Sequence, residues 1–115
     1  MDLTFLDLAE HLPAESVEYI GAAQIKLNCT QISGGEEISL DSSVITTTAK
    51  LLDGMVKLTD YVNGERIKEE KNSIEFASKL ITGTSDRPRY EYRIVIDIDP
   101  DTFVNNLIDP TSAAT

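Results

Sequence analysis

The chain has 115 residues, of which 41% are apolar and 26% charged, so it is too apolar for a disordered protein and predicts a single domain over residues 1–115. Its net charge of −10 disfavours nucleic acid and anionic membranes as partners, and it either attracts a basic partner or maintains solubility. A single cysteine excludes an internal disulfide, and no apolar run approaches the roughly 18 residues of a membrane helix. We therefore expect a cytoplasmic protein.

The charge is unevenly distributed along the chain. Residues 1–49 hold eight acids and one base, and residues 94–115 hold four acids and no base. Residues 50–93 hold nine bases and eight acids. Two acidic ends thus flank a nearly neutral middle, a pattern that serves solubility or steers a basic partner.

The first predicted element is a short helix from Leu3 to Leu12. Thr4 can cap it, with Asp7 in the capping-box position three residues later, and Pro13 ends it. His11 is the only histidine and lies near the end of this helix, where a positive charge suits the helix dipole. Catalysis by His11 would need a nucleophile or an orienting acid brought to it by the fold, and nothing in the surrounding sequence predicts this.

Residues 17–30 alternate between apolar and polar side chains, which predicts one long, half-buried strand. Gly21 would introduce a bulge or bend, and Ser33-Gly34-Gly35 would turn the chain afterwards. Cys29 falls on the apolar face of this strand. We therefore expect a buried thiol that behaves as a small hydrophobe rather than as a nucleophile.

The segment from residue 38 to residue 62 supports two interpretations. Asp53-Gly54 and Asn63-Gly64 favour tight hairpin turns, and Thr46-Thr47-Thr48 favours extended backbone. The preferred prediction is a set of three strands, at about 44–52, 55–62 and 65–69. The alternative is a helix over 43–62 with a glycine in its interior, at a cost of about 1 kcal/mol.

Two strands and a helix complete the predicted fold. Alternation over residues 74–80 predicts a strand, although Asn72 and Glu75 could instead cap a short helix. Stricter alternation over residues 90–98 predicts a second strand, with Tyr92, Ile94 and Ile96 buried and Arg93 and Asp97 exposed. Asp99 can cap a short final helix. The predicted fold is α+β: a mainly antiparallel β sheet or partial barrel with short N- and C-terminal helices.

Three motifs resemble functional sites but are incomplete. Asp97, Asp99 and Asp101 have the spacing of the first calcium-loop ligands, but the diagnostic glycine and glutamate positions hold Thr102 and Ile108. The segment 87–93 mixes arginines with tyrosines, as single-strand binders do, but alternation would separate them onto opposite faces. The glycines at 34–35 lack the lysine of a phosphate loop. We therefore predict no metal, no cofactor and no nucleic acid.

The leading hypothesis is a non-enzymatic protein that works by association. It could be a subunit of a larger assembly, an acidic chaperone or adaptor, an inhibitor of a basic partner, or a homo-oligomer. The predicted contact residues are Glu36, Glu37, Asp41, Asp97, Asp99 and Asp101. The alternative is a small-molecule-binding β domain, with or without simple acid–base chemistry. Its pocket would be lined by Tyr19, Tyr61, Phe76, Tyr90 and Tyr92.

Overall fold

The computed structural model of the chain describes residues 2–98 and 107–112. Its helices are α1 (Phe5–Ala9), α2 (Cys29–Ile32) and α3 (Ile45–Lys68), followed by a 3₁₀ turn at Pro110–Ser112. Its strands form three antiparallel pairs: β1 (Val17–Gly21) with β2 (Gln24–Leu27), β3 (Ala77–Gly83) with β4 (Pro88–Ile94), and β5 (Asp97–Ile98) with β6 (Leu107–Ile108). The α+β class is confirmed, and the described strands form no closed barrel.

The chain divides into two compact units, and their boundary falls inside α3. One unit is Thr4–Leu58, and the other combines Met1–Leu3 with Thr59–Thr115. The buried apolar residues of the first unit are Leu8, Ile32 and Leu58, and those described in the second are Val62, Ile74 and Ala77. The single domain predicted over residues 1–115 stays a prediction.

The N-terminal helix has the predicted cap but is shorter than predicted. The hydroxyl oxygen of Thr4 accepts a hydrogen bond from the backbone nitrogen of Asp7 at 3.1 Å, and the hydroxyl donates to Asp7 Oδ2 at 2.8 Å. The helix ends at Ala9 rather than at Leu12. His11 Nδ1 donates to the backbone oxygen of Asp7 at 3.0 Å, and the same oxygen accepts a hydrogen bond from the backbone nitrogen of Glu10 at 3.2 Å.

The prediction of one long strand over residues 17–30 is wrong, because the chain reverses at Ala22 and Ala23. Both alanines have positive φ angles, 52° and 59°, as a two-residue hairpin turn with the twist of its strands requires. Alanine carries a steric penalty in this left-handed backbone conformation, so Ala22-Ala23 is not a typical turn sequence. The alternation of residues 17–30 therefore gives no sign of the reversal. Gly21 does carry the predicted irregularity, with a φ of 89° and a shift in strand register.

The preferred strands at 44–52, 55–62 and 65–69 are also wrong, because residues 45–68 form the 24-residue helix α3. The alternative helix is confirmed and extends beyond its predicted end. Buried residues recur at helical spacing along its second half, namely Leu58, Thr59, Val62 and Arg66. Gly54 and Gly64 both lie inside the helix, where neither has the positive φ angle of a hairpin turn.

The two glycines of α3 should respond differently to alanine. A Cβ atom at Gly54 would lie 2.5 Å from Leu12 Cδ2 and 3.3 Å from the backbone oxygen of His11, whereas one at Gly64 would meet nothing within 4 Å. Gly64→Ala should raise the free energy of unfolding by about 0.5–1 kcal/mol, the difference in helix propensity. Gly54→Ala should raise the free energy of unfolding by less than Gly64→Ala does, or should lower it, because the Leu12 side chain must move. Urea denaturation measures both values, and equal gains would contradict the close packing at Gly54.

The second half of α3 holds the extended segment 72–77 through side chains on one helix face. Thr59, Asn63 and Arg66 have the i, i+4, i+7 spacing that brings side chains onto one face. Thr59 Oγ1 accepts a hydrogen bond from the backbone nitrogen of Ala77 at 3.2 Å, and Arg66 Nε donates one to the backbone oxygen of Asn72 at 2.7 Å. Asn63 makes two bonds to Ile74: its Oδ1 accepts from the backbone nitrogen at 2.7 Å, and its Nδ2 donates to the backbone oxygen at 3.0 Å. The segment is thus bonded to the helix, which explains why β3 begins at Ala77 and not at Ile74.

The tyrosines and arginines of β4 lie on opposite faces of its pair with β3, as alternation predicted. Tyr90 and Tyr92 share a face with Lys79, whose Nζ lies 4.0 Å from the centre of the Tyr90 ring in a cation–π contact. Arg89 and Arg93 lie on the other face.

The predicted burial of the strand over residues 90–98 is wrong. Ile94 is 39% exposed and Ile96 is 55% exposed, and Tyr92 is only half-buried. The predicted exposure of Arg93 and Asp97 is confirmed. The strand is also interrupted between β4 and β5, and among the described residues each pairs with one strand only. A two-stranded sheet covers neither of its faces, so alternation here does not create a core.

The predicted C-terminal helix falls largely outside the described residues. Asp99 and residues 100–106 belong to this part of the chain. Where the description resumes, Leu107 and Ile108 form β6 rather than a helix. The Pro110–Ser112 turn follows β6.

Candidate functional site

A groove with a volume of about 660 Å³ lies within the unit Thr4–Leu58. Its walls come from the end of β2, from α2, from the loop joining α2 to α3 and from the start of α3. The apolar side chains that line it are Leu27, Cys29, Ile38, Leu40 and Val44. The other lining residues are Lys26, Asn28 and serines and threonines, so the groove offers apolar surface together with short hydroxyl groups.

Local capping forms the α2 wall of the groove. The side chain of Asn28 caps α2 by accepting a hydrogen bond from the backbone nitrogen of Gln31 at 3.2 Å. Gly34 and Gly35 then turn the chain with φ angles of 86° and 93°, which confirms the predicted turn. Cys29 is the first residue of α2 and is exposed, so the prediction of a buried strand cysteine is wrong.

Hydrogen bonds hold the loop that forms the opposite wall. Thr30 Oγ1 accepts from the backbone nitrogen of Ile38 at 3.2 Å, and the hydroxyls of Ser33 and Thr47 lie 2.6 Å apart. Within the loop, Ser42 Oγ accepts from the backbone nitrogen of Ser39 at 2.9 Å. The loop is therefore fixed near both of its ends and internally bonded around residue 40.

The apolar side chains of the groove are largely open to solvent. Leu40 is 105% exposed, as in an extended chain, and Val44 is 74% exposed. Leu27, at the end of β2, is 39% exposed. Their surface would leave water when a partner covers the groove, and this is the main favourable contribution to most protein association. Sequence reasoning missed Leu40 and Val44; an isolated leucine between Ser39 and Asp41 was the available signal.

Three of the predicted contact acids lie on the groove loop. Glu36, Glu37 and Asp41 are all exposed. Glu37 directly precedes the lining residue Ile38, and Asp41 lies between two lining residues, Leu40 and Ser42. Residues 4–58 as a whole hold eight acids and three bases. Glu36, Glu37 and Asp41 are thus close in sequence to the groove lining, in which Lys26 is the one charged residue described, and we call these three acids the acidic rim.

The other predicted contact acids are not part of this groove. Asp97 is exposed in β5, in the unit that contains Thr59–Thr115, and Asp99 and Asp101 lie outside the described residues. In the part of the chain that is described, no cluster of three or more histidine, cysteine, aspartate or glutamate side chains could hold a metal ion.

A smaller cleft of about 300 Å³ lies in the other unit. Phe76, Glu75 and Arg93 line it together with Thr59 and Asn63. The latter two already bond the backbone of segment 72–77, so their polar groups serve the fold. Fewer of the polar side chains of this cleft are therefore available to bind a ligand than in the groove.

An exposed ion pair follows the end of α3. Lys71 Nζ lies 3.0 Å from Glu69 Oε2, and this hydrogen-bonded ammonium lowers the pKa of the Glu69 carboxyl below its ordinary value. Any stabilisation from the pair is present above the ordinary pKa of Glu69 and is lost as the pH falls through the lowered value. Since the pair is solvent-exposed, its effect on folding is small.

Compared with known protein families, curated proteins and solved structures, the chain matches none of them. No described helix combines the length and the apolar composition needed to cross a membrane. The functional inference therefore depends on the chemistry of the groove itself.

Proposed function

We propose that the protein works by association and that its groove binds a basic, apolar polypeptide segment. The observation that carries this proposal is Leu40, which is fully exposed in the groove wall directly beside Asp41. Leu40 supplies apolar surface that a partner can bury, and Asp41 supplies a negative charge beside it. This is the role of a non-enzymatic interaction or assembly protein, such as a subunit, an acidic adaptor or an inhibitor of a basic partner.

The two features of the groove would contribute differently to binding. Burying a leucine side chain is worth about 1.5–3 kcal/mol, which corresponds to roughly tenfold to a hundredfold in affinity. The acidic rim of Glu36, Glu37 and Asp41 would mainly raise the association rate and select against acidic partners. The proposal includes a cytoplasmic location, which suits the exposed free thiol of Cys29.

The alternative, a small-molecule site with an aromatic lining, has weaker support. The groove volume of about 660 Å³ would suit a small ligand. The aromatic residues expected to line such a pocket are absent from the groove lining: Tyr19, Tyr61, Phe76, Tyr90 and Tyr92. The exposed aliphatic wall and acidic rim favour a polypeptide instead.

Replacing Leu40 with serine should weaken binding of a basic, apolar peptide by roughly tenfold or more, the value of one buried leucine. The probe is a short fluorescent peptide of alternating arginine and leucine, and its anisotropy is followed as protein is added. Leu40 makes little contact within the fold, so the substitution should leave the melting temperature unchanged.

Leu6→Ser is the matched control, because Leu6 is also exposed, at 75%, but does not line the groove. It should bind the peptide as the wild type does. Affinity should also fall as salt rises, because the rim is charged. Equal binding by the Leu40 and Leu6 variants, or no binding by the wild type, would overturn the proposal.

A further inference from the structure

One face of the β3–β4 pair is complementary in character to the groove. Leu80 of β3 lies opposite Glu91, and the neighbouring pairs on the same face bring Arg89 and Arg93 to either side of it. We name Leu80, Arg89 and Arg93 the basic face. Residues 77–94, which span the two strands and their turn, hold four bases and two acids in an otherwise acidic chain.

The basic face is available for contact. Leu80 is 63% exposed, and Arg89 is exposed as well. The Arg93 side chain is 74% exposed, and its pair with Glu75 is long at 4.0 Å, between two solvent-exposed groups. Exposed pairs of this kind contribute little, so a stronger acidic partner can replace Glu75.

We propose that the basic face of one copy of the chain occupies the groove of a second copy, an inference that rests on the proposed function of the groove. Leu80 would be buried against Leu40 and Val44. The arginines would then meet the acidic rim. The two surfaces are complementary in character: the groove has exposed apolar walls with three acids close by in sequence, and the face has an exposed leucine flanked by two arginines, with Glu91 between them.

The contact is heterologous, because it joins two different surfaces. Each copy carries both a groove and a basic face, so the same contact can repeat from copy to copy. Such repetition builds a ring when the rotation closes and an open chain when it does not. The protein would therefore assemble beyond the dimer as its concentration rises.

The test uses two full-length variants that each lose one surface. The groove variant is L40S/E36Q/E37Q, and the face variant is L80S/R89Q/R93Q. Their matched controls carry similar substitutions at exposed positions elsewhere, L6S/E10Q/E18Q and I67S/K57Q/K68Q. Mass is measured by light scattering after size exclusion over a range of protein concentrations, and melting temperatures confirm that all variants fold.

The wild type and both controls should exceed the monomer mass of 12.7 kDa as concentration rises, and added salt should reverse this. Each surface variant alone should stay at the monomer mass. Mixed in equal amounts, the two variants should form a dimer that grows no further, because one intact groove then meets one intact face.

A wild type that stays monomeric at every concentration would overturn the inference, as would either surface variant assembling alone or a mixture that stays monomeric. Binding of the arginine–leucine peptide distinguishes failure of this inference from failure of the proposed function. If the arginine–leucine peptide still binds the groove of a monomeric wild type, the groove takes a different protein. If the peptide does not bind, the proposed function itself fails.

Discussion

Replacing Ile32 with alanine should lower the free energy of unfolding by about 2–5 kcal/mol, the cost of deleting a buried isoleucine side chain down to its Cβ. Ile32 is 1% exposed at the end of α2, and Leu8 and Leu58 are the other buried apolar residues of its unit. So small a core has few neighbours that can move to fill the cavity. Urea denaturation followed by circular dichroism measures the loss.

Ile96→Ala is the control for this substitution. The alternating pattern predicts a buried Ile96 and a cost of about 2–5 kcal/mol, as for a core residue. The structure leaves Ile96 55% exposed, so the expected loss is now well below that of Ile32. A loss for Ile96→Ala that equals or exceeds the loss for Ile32→Ala would contradict the observed distribution of burial.

Replacing Asn63 with alanine should also lower the free energy of unfolding strongly. Its side chain pairs both the backbone nitrogen and the backbone oxygen of Ile74, a residue that is only 7% exposed. Each buried backbone group left without a partner costs about 1–3 kcal/mol. The backbone amide of Ile74 should also exchange its hydrogen faster, which amide hydrogen exchange measured by NMR would detect.

Asn63→Asp separates the two bonds of this side chain. Aspartate keeps an oxygen that accepts from the Ile74 nitrogen but loses the donor to the Ile74 oxygen. The Ile74 amide should therefore stay protected, while stability should fall below that of the wild type because a carboxylate oxygen now faces the Ile74 carbonyl oxygen. Unchanged exchange of the Ile74 amide in Asn63→Ala would contradict the role of this side chain.

Local signals in the sequence predict local structure well in this chain. Thr4 caps α1 through Asp7, and Gly34 and Gly35 turn the chain, because each motif depends on groups within a few residues. The separation of tyrosines from arginines on β4 also follows from strand geometry alone. These features need no knowledge of the remaining fold.

The larger errors arise where distant contacts override local preference. Asn63-Gly64 is a strong hairpin signal, but Asn63 instead bonds Ile74, eleven residues away, and Gly64 continues the helix. At Gly54, a Cβ atom would lie 2.5 Å from Leu12 Cδ2 and would displace that side chain, so the glycine reflects close packing rather than a turn. Neither contact can be read from neighbouring residues.

Burial was the least predictable property of the sequence. Alternation shows which side chains share a face, but it does not show whether another element covers that face. Ile25 and Ile94 illustrate this, since both lie on alternating strands and are 42% and 39% exposed. The contact role of Glu36, Glu37 and Asp41 stays a prediction, and the apolar walls of the groove beside them depend on how the loop after α2 is held.

The reactivity of Cys29 tests the groove most directly. This thiol is exposed, lines the groove and belongs to the only cysteine of the chain, so its alkylation by iodoacetamide reports on one place. Saturating amounts of the arginine–leucine peptide should slow alkylation of the native protein strongly, whereas a glutamate–leucine peptide should not. An alkylation rate that stays unchanged at saturating arginine–leucine peptide would contradict binding in the groove.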